Sequence, residues 1–373
     1  MNYYCTACKK KYGMSDLVWQ CDCGGVLSIE GTELLKRRDV MQDDRSLWRY
    51  QKALPIKLDE TATRFGEGFT PLVPVKMDNR TIHIKLDSIM PSGSFKDRGA
   101  SILINFLAKL GVPEIVDDSS GNAAAAAATY CAAAGIRCNI FVPAHAAVGK
   151  QVQIAAHGAK INKITGTRDD VTVAAIEAGR KSFYASHNWH PLFVEGVKTL
   201  AFEIWEQLGW KAPDNVVLPA GGGSSVLGVY KGFSELVEAG EIESIPRIYA
   251  VQAANCSPIH CALQGLAPGV WSGTIAEGVA LTNPVKLQQI VAALRDSEGS
   301  SVAVPEEEIM PALKRLARLG YYMEPTSAMT FAGISRLAGQ GHLKENETTV
   351  VLVSGHGLKA TDKIGAALGM LQG

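Results

Sequence analysis

No stretch of this 373-residue chain is apolar for long enough to cross a bilayer. The longest apolar run, Ala123 to Ala134, falls short of the ~18 residues a spanning helix needs. Neither sign of charge is in excess, with 37 basic and 37 acidic side chains, so no electrostatic bias points to nucleic acid or to a membrane surface as a partner. Met1-Asn2-Tyr3-Tyr4 lacks the cationic start and apolar stretch of a secretory leader, and a cytoplasmic location is expected. Internal repeats and low-complexity tracts are absent, apart from the alanine enrichment at 123–134, which reads as a tightly packed helix.

What remains is the composition of a globular enzyme. Hydrophobic residues make up 47% of the chain, ample for sizeable cores, and at ~100–200 residues per domain the length allows two or three domains. From Ile82 onward, β-rich runs alternate with helical patterns, first as far as Lys160–Ile164 and again from Thr199 to Ser354. Such β-α-β alternation implies parallel sheets covered by helices on both faces. The charged segment Glu33 to Asp44 reads as a helix and linker.

The eight cysteines fall into two groups. Cys131, Cys138, Cys256 and Cys261 are scattered through core-like segments and read as reduced thiols. Cys5-x-x-Cys8 and Cys21-x-Cys23 crowd into the first 25 residues and resemble a zinc ribbon, with two turns presenting thiolates to a tetrahedral ion. The C-x-C spacing of the second pair leaves a metal-free remnant as the alternative. Four thiolates would leave no open coordination position, so any zinc here is structural.

Four segments carry chemistry. In Pro91-Ser92-Gly93-Ser94-Phe95-Lys96-Asp97-Arg98-Gly99, a lysine stands among small and polar residues ahead of a helical pattern. Burial lowers the pKa of such an amine enough to make it a nucleophile toward an aldehyde. Asp117 to Ala123 reads as a strand end, a turn and a helix start. Ser119, Ser120 and Asn122 there could hold an anionic oxygen or simply cap the helix. Val216 to Ser225 runs a buried-type strand into Gly221, Gly222, Gly223, Ser224 and Ser225, a phosphate cradle in sequence form. It fits neither the dinucleotide G-x-G-x-x-G nor the P-loop lysine pattern. Finally, Thr349 to Lys359 ends a strand at Ser354, whose hydroxyl could meet a ring nitrogen. His356, just beyond, reads as a packed turn residue, and Glu324 as a fold contact.

Taken in order, these segments resemble the fold-type II family of pyridoxal-phosphate enzymes, and within it the threonine synthases. The SGSFKDRG, SSGN, Glu195–Thr199, Glu324–Ala328 and terminal SGHGLK stretches carry the resemblance, as does Gly66-Glu67-Gly68-Phe69-Thr70-Pro71-Leu72. It implies an α/β fold of two open parallel-sheet domains with the cofactor in the cleft between them, behind a small cysteine knuckle. The expected division is 1–32 for the knuckle, 33–98 with 200–373 for the large domain, and 99–199 for the small one. Lys96 would carry the Schiff base and shuttle protons, and Asn122 would meet the cofactor's phenolate oxygen. Ser119 and Ser120 would hold the substrate carboxylate, Gly221 to Ser225 the cofactor phosphate, and Ser354 would face the pyridine nitrogen.

The same resemblance implies a small amino-acid substrate, O-phospho-L-homoserine, which loses phosphate from Cγ and takes water at Cβ, and a homodimeric enzyme. Arg98, Lys150 and Lys198 are loose candidates for the substrate phosphate. The sequence also departs from the threonine synthases: Ser354 stands where many have Thr, Gly-Gly-Gly-Ser-Ser replaces a Gly-Asn-x-Gly-Asn type loop, and Ser186 to Pro191 is bulkier than expected. A β-elimination or β-replacement enzyme acting on serine, threonine or an activated serine is therefore the alternative. A binding protein that has lost catalysis is the third reading, opposed by the retention of Lys96.

Overall fold

A computed structural model describes residues 1–77, 79–144 and 148–370. Its strands are β1 (Asn2–Cys5), β2 (Lys11–Gly13), β3 (Leu27–Glu30), β4 (Leu72–Met77), β5 (Arg80–Lys85), β6 (Glu114–Asp117), β7 (Arg137–Pro143), β8 (Lys160–Ile164), β9 (Phe183–Tyr184), β10 (Asn215–Pro219), β11 (Arg247–Ala253), β12 (Ser300–Val304) and β13 (Thr349–Leu352). They form three sheets, ordered β2-β1-β3, β12-β11-β10-β13-β5-β4 and β8-β7-β6-β9.

The four-stranded sheet is wholly parallel, and five strands of the six-stranded sheet run parallel to one another. Fold-type II architecture with two parallel sheets is thus present, with one difference. β4 joins β5 antiparallel as an edge strand. Pro74 explains its place, because a residue without an N–H is tolerated at an edge where no further strand needs a donor. The central β10 is buried throughout, as expected of a strand covered on both faces.

The expected helix in 33–44 is absent. Only a short 3-10 turn, Arg37–Asp39, forms there, because Leu35 and Val40 are the only residues of that segment buried in the core and give no helical stripe to pack. No helix among the described residues is long and apolar enough to cross a membrane.

The helix Lys96–Lys109 is held by a wholly buried cluster of charges. Arg98 donates to Asp87 at 2.7 and 2.8 Å and to Glu203 at 2.6 and 2.8 Å, while Lys85 meets Glu203 at 2.7 Å. Two acids thus answer two bases, and the pairing ties the helix start to the end of β5 and to the helix Thr199–Gln207. The helix Pro191–Val197 approaches so closely that a Cβ on Gly196 would lie 1.9 Å from the Arg98 carbonyl oxygen. Lys96 therefore starts a helix whose position is fixed on two sides.

Candidate active site

The carboxyl ends of the parallel strands meet at a cleft of about 510 Å³. Ser119 to Asn122 follow β6, Gly221 to Ser225 follow β10, and Ser354 follows β13, and all of these line the cleft together with Lys96. Ligands in open α/β sheets bind at this edge because the loops there are free to diverge. Each residue expected at the cofactor or at the substrate carboxylate is thus brought to one place.

The Lys96 amine donates to Ser224 Oγ at 3.3 Å and lies 4.5 Å from the centre of the Phe95 ring. Burial lowers its pKa to about 8, against the opposing negative fields of Asp117 and Glu324. A lysine so placed is deprotonated far more readily than one in water.

Neither Ser120 nor Asn122 caps the helix Asn122–Ala134, whose first turn has no side-chain cap. Asn122 instead donates through Nδ2 to Glu324 Oε2 at 2.8 Å, and its Oδ1 is buried without a partner. The helix Ser224–Glu238 likewise begins without a side-chain cap, leaving its first N–H groups for an anion. Gly223 enters it at φ +78, a left-handed conformation, and a Cβ on Gly222 would lie 2.1 Å from Asn188 Oδ1. Ser354 Oγ lies 3.0 Å from Ser327 Oγ, and Ser327 also accepts the Ser354 N–H at 2.9 Å, so this hydroxyl is held in place from the Glu324–Ala328 stretch.

An aldehyde-bearing, phosphorylated pyridine fits this donor set. The uncapped helix and glycine turn suit its phosphate, the second Nδ2–H of the Asn122 amide its ring oxygen, and the lowered amine its aldehyde.

Two of the three candidates for the substrate phosphate are overturned. Arg98 is buried in its charge cluster, and Lys198 is buried between Glu195 (2.6 Å) and Glu235 (2.9 Å); neither lines the cleft. The side chain of Lys150 lies outside the described residues. Glu324, read as a fold contact, does accept that role through its N–H to Gly355 O at 3.0 Å, but its carboxylate also stands in the cleft wall. His356 caps the short 3-10 helix Gly357–Ala360 outside the cleft. The Gly66–Leu72 stretch is also outside it: Phe69 N–H donates to Glu203 at 2.7 Å, so this motif covers the buried charge cluster.

Further residues line the cleft, of which only His187, in the bulky Ser186–Pro191 run, drew notice in the sequence. Arg168 pairs with Asp118 at 2.8 Å and Lys363 with Glu277 at 2.5 Å, placing two cations on the wall besides Lys96. His187 is neutral, because burial holds it well below its ordinary pKa. Glu277 to Leu281 also line the cleft and pack against the glycine turn, where a Cβ on Gly221 would lie 2.9 Å from the Gly278 carbonyl oxygen, and Gly278 N–H donates to Thr326 Oγ1 at 3.0 Å.

At the N-terminus, the sulfurs of Cys5, Cys8, Cys21 and Cys23 all lie within 4.8 Å of one another, with Cys5–Cys23 and Cys8–Cys21 each at 3.5 Å. Tetrahedral Zn–S bonds of about 2.3 Å place sulfurs about 3.8 Å apart, so the C-x-C pair does not prevent a four-thiolate site.

Residues 63–355 match the family described as pyridoxal-phosphate dependent enzyme. The chain is 33% identical over 375 residues to the threonine synthase of Methanocaldococcus jannaschii, covering 96% of this chain and 93% of the relative. It is 35% identical over 321 residues to that of Mycobacterium tuberculosis, covering 84% and 88%. A solved structure of O-ureido-L-serine synthase superimposes with a TM-score of 0.68 at 22% identity over 82% of this chain and 94% of the other, a likeness of fold. The chain belongs to the pyridoxal-phosphate dependent enzymes, and among them to the threonine synthase family.

Proposed function

We propose that the protein converts O-phospho-L-homoserine and water into L-threonine and inorganic phosphate. The observation that carries this reading is the convergence of Lys96, Asn122, Gly221 to Ser225 and Ser354 on one cleft, in a chain aligned with threonine synthases over nearly its whole length. When bound, pyridoxal phosphate supplies an aldehyde and a conjugated ring that accepts electrons from the substrate carbon. Lys96 anchors it and then moves protons at Cα and Cβ of the substrate. Gly221, Gly222, Gly223, Ser224 and Ser225 hold its phosphate, Asn122 its phenolate oxygen, and Ser354, steadied by Ser327, its ring nitrogen. Ser119 and Ser120 take the substrate carboxylate, and Arg168 with Lys363 supply the positive charge for the substrate phosphate.

The reading extends to the rest of the molecule. The knuckle comprises 1–32, the large domain 33–98 with 200–373, and the small domain 99–199; the membership of the three sheets supports this division. Cys5, Cys8, Cys21 and Cys23 bind structural zinc, and the enzyme is a cytoplasmic homodimer.

The test is to incubate the cofactor-loaded protein with O-phospho-L-homoserine and measure threonine and phosphate. Equal amounts of both are expected. If neither forms while the cofactor absorbance responds to serine, threonine or O-phosphoserine, the reading falls. The second reading, β-elimination or β-replacement, which the neutral Ser354 partner favours, then takes its place.

A further inference from the structure

A second cavity, of about 560 Å³, lies between the N-terminal sheet and the body of the protein and shares no lining residue with the cleft. Its walls are β3, the helix Pro191–Val197 and the later turns of Ser224–Glu238.

Two buried groups on these walls are unanswered. Lys286 is only 5% exposed, and its ammonium has no hydrogen-bond or ion-pair partner among the described residues. Burial lowers its pKa to about 8. Glu235 is 7% exposed; its Oε1 meets Lys198 at 2.9 Å and Lys231 at 3.8 Å, but its Oε2 is buried without a hydrogen bond. A buried carboxylate oxygen without a hydrogen bond works against folding, and its retention beside a cavity that also holds the unpaired Lys286 ammonium calls for a ligand that answers both.

The ligand's chemistry follows from the walls. Glu30, Glu195, Glu235 and Glu238 line the cavity together with Lys231 and Lys286, and Lys198 lies behind Glu195 and Glu235, an acid-rich wall that repels a phosphate dianion. A carboxylate carrying its own ammonium satisfies both unanswered groups at once. Val26, Ile29, Leu34, Val194 and Leu227 supply the apolar surface for a hydrocarbon side chain.

We propose that this cavity is a second binding site, for the zwitterion of an aliphatic α-amino acid, with its carboxylate on Lys286 and its ammonium at Glu235 Oε2. Three elements connect the site to the phosphate cradle. Lys286 immediately precedes the helix Leu287–Asp296, whose Ile290 packs so closely on Gly223 that a Cβ there would lie 2.1 Å from it. The helix Ser224–Glu238 starts at the cradle and carries Lys231 and Glu235 to the second site. Pro191 follows the loop that places Asn188 against Gly222. An occupant braces all three, and so acts on how firmly the cofactor phosphate is held.

The test is calorimetric titration of the cofactor-loaded protein with L-isoleucine, L-valine and L-leucine, following the cofactor absorbance in the same samples. Saturable binding of at least one of the three, with unchanged absorbance, is expected, and Lys286→Met should weaken it at least about tenfold. No binding, equal affinity in the variant, or binding only with an absorbance change overturns the proposal. Should Lys286→Met fail to fold, acetylation of the unaltered protein serves instead, read by peptide mass spectrometry. Labelling of Lys286 should fall about tenfold at a ligand concentration ten times Kd, as mass action requires. Undiminished labelling overturns the proposal. None of these readouts requires turnover, so their failure and the failure of the synthase reading are separate events.

Discussion

Asn122 and Glu324, 202 residues apart in sequence, are joined by a 2.8 Å hydrogen bond between the first helix of the small sheet and the N-cap of the helix Pro325–Gly339. The bond orients the amide, and the carboxylate adds a negative field at Lys96. Glu324→Gln removes the field and the charge-assisted bond together. Cofactor affinity should fall by about tenfold, as expected for one hydrogen bond to a charged group, and an absorbance titration of the cofactor-free protein measures it.

Cofactor capture should depend on pH through Lys96. Only the neutral amine attacks an aldehyde, and burial brings its pKa down to about 8. The rate should climb about tenfold per pH unit below 8 and level off above it. In Glu324→Gln the plateau should begin at lower pH, because the field that opposed the fall is gone. Stopped-flow absorbance over pH 6 to 10 decides the matter, and a rate still rising steeply above pH 9 contradicts the geometry.

Lys96→Ala should abolish the cofactor–amine absorbance and lower turnover by at least about a thousandfold, since it removes both the anchor and the proton carrier. Its thermal midpoint should not fall. The substitution removes a desolvated amine whose one hydrogen bond, to Ser224, is long at 3.3 Å. Absorption, product assay and thermal scanning on one preparation separate these effects.

The buried pairing of Arg98 with Asp87 and Glu203 should dominate acid sensitivity. Arg98 and Lys85 hold the Glu203 carboxyl, despite its burial, down at about 2, below its ordinary 4.5. A depressed folded-state pKa gives stability that is present above about 4.5 and lost as pH falls toward 2. Glu203→Gln should remove this dependence and, by leaving Arg98 and Lys85 under-compensated, destabilise by about 3–5 kcal/mol at neutral pH. Urea unfolding of both forms across pH 3 to 7 tests both statements.

Metal analysis of the purified protein should find one zinc per chain, lost in Cys8→Ser. Trp19, near the metal turns, packs edge-on against Tyr184 at 4.9 Å and Trp189 at 5.4 Å, so tryptophan emission should change when a chelator strips the metal. A metal-free protein with unaltered emission after chelation would leave the four thiols as a remnant.

The sequence carried the residues whose function is local. Lys96, the glycine turn and Ser354 each sit where a strand ends or a helix begins, and the type and order of neighbouring residues mark such places. Arg168, Lys363 and the Glu277–Leu281 segment were illegible, because the fold brings them to the cleft over long sequence distances and each alone is an ordinary residue. Arg98 misled for the converse reason. A cation beside the reactive lysine reads as a ligand, but helical geometry turns position 98 toward Asp87 and Glu203, away from the cleft. The antiparallel edge strand was missed because a strand's direction is set by its partner, which local pattern does not reveal.

The place of β13 has a consequence for the order in which the molecule is assembled. This late strand lies between β10 and β5, pairing Ile82 with Thr349 across most of the chain, and Phe95 N–H donates to Ser354 O at 2.9 Å. Until residues 349–352 emerge from the ribosome, β5 and β10 each present an unpaired edge, and the lysine loop lacks the backbone that seats it. Closing so long a loop is slow, and open edges invite pairing with other chains. A nascent chain therefore has no complete cofactor site, and these two edges stay open to aggregation until β13 is made.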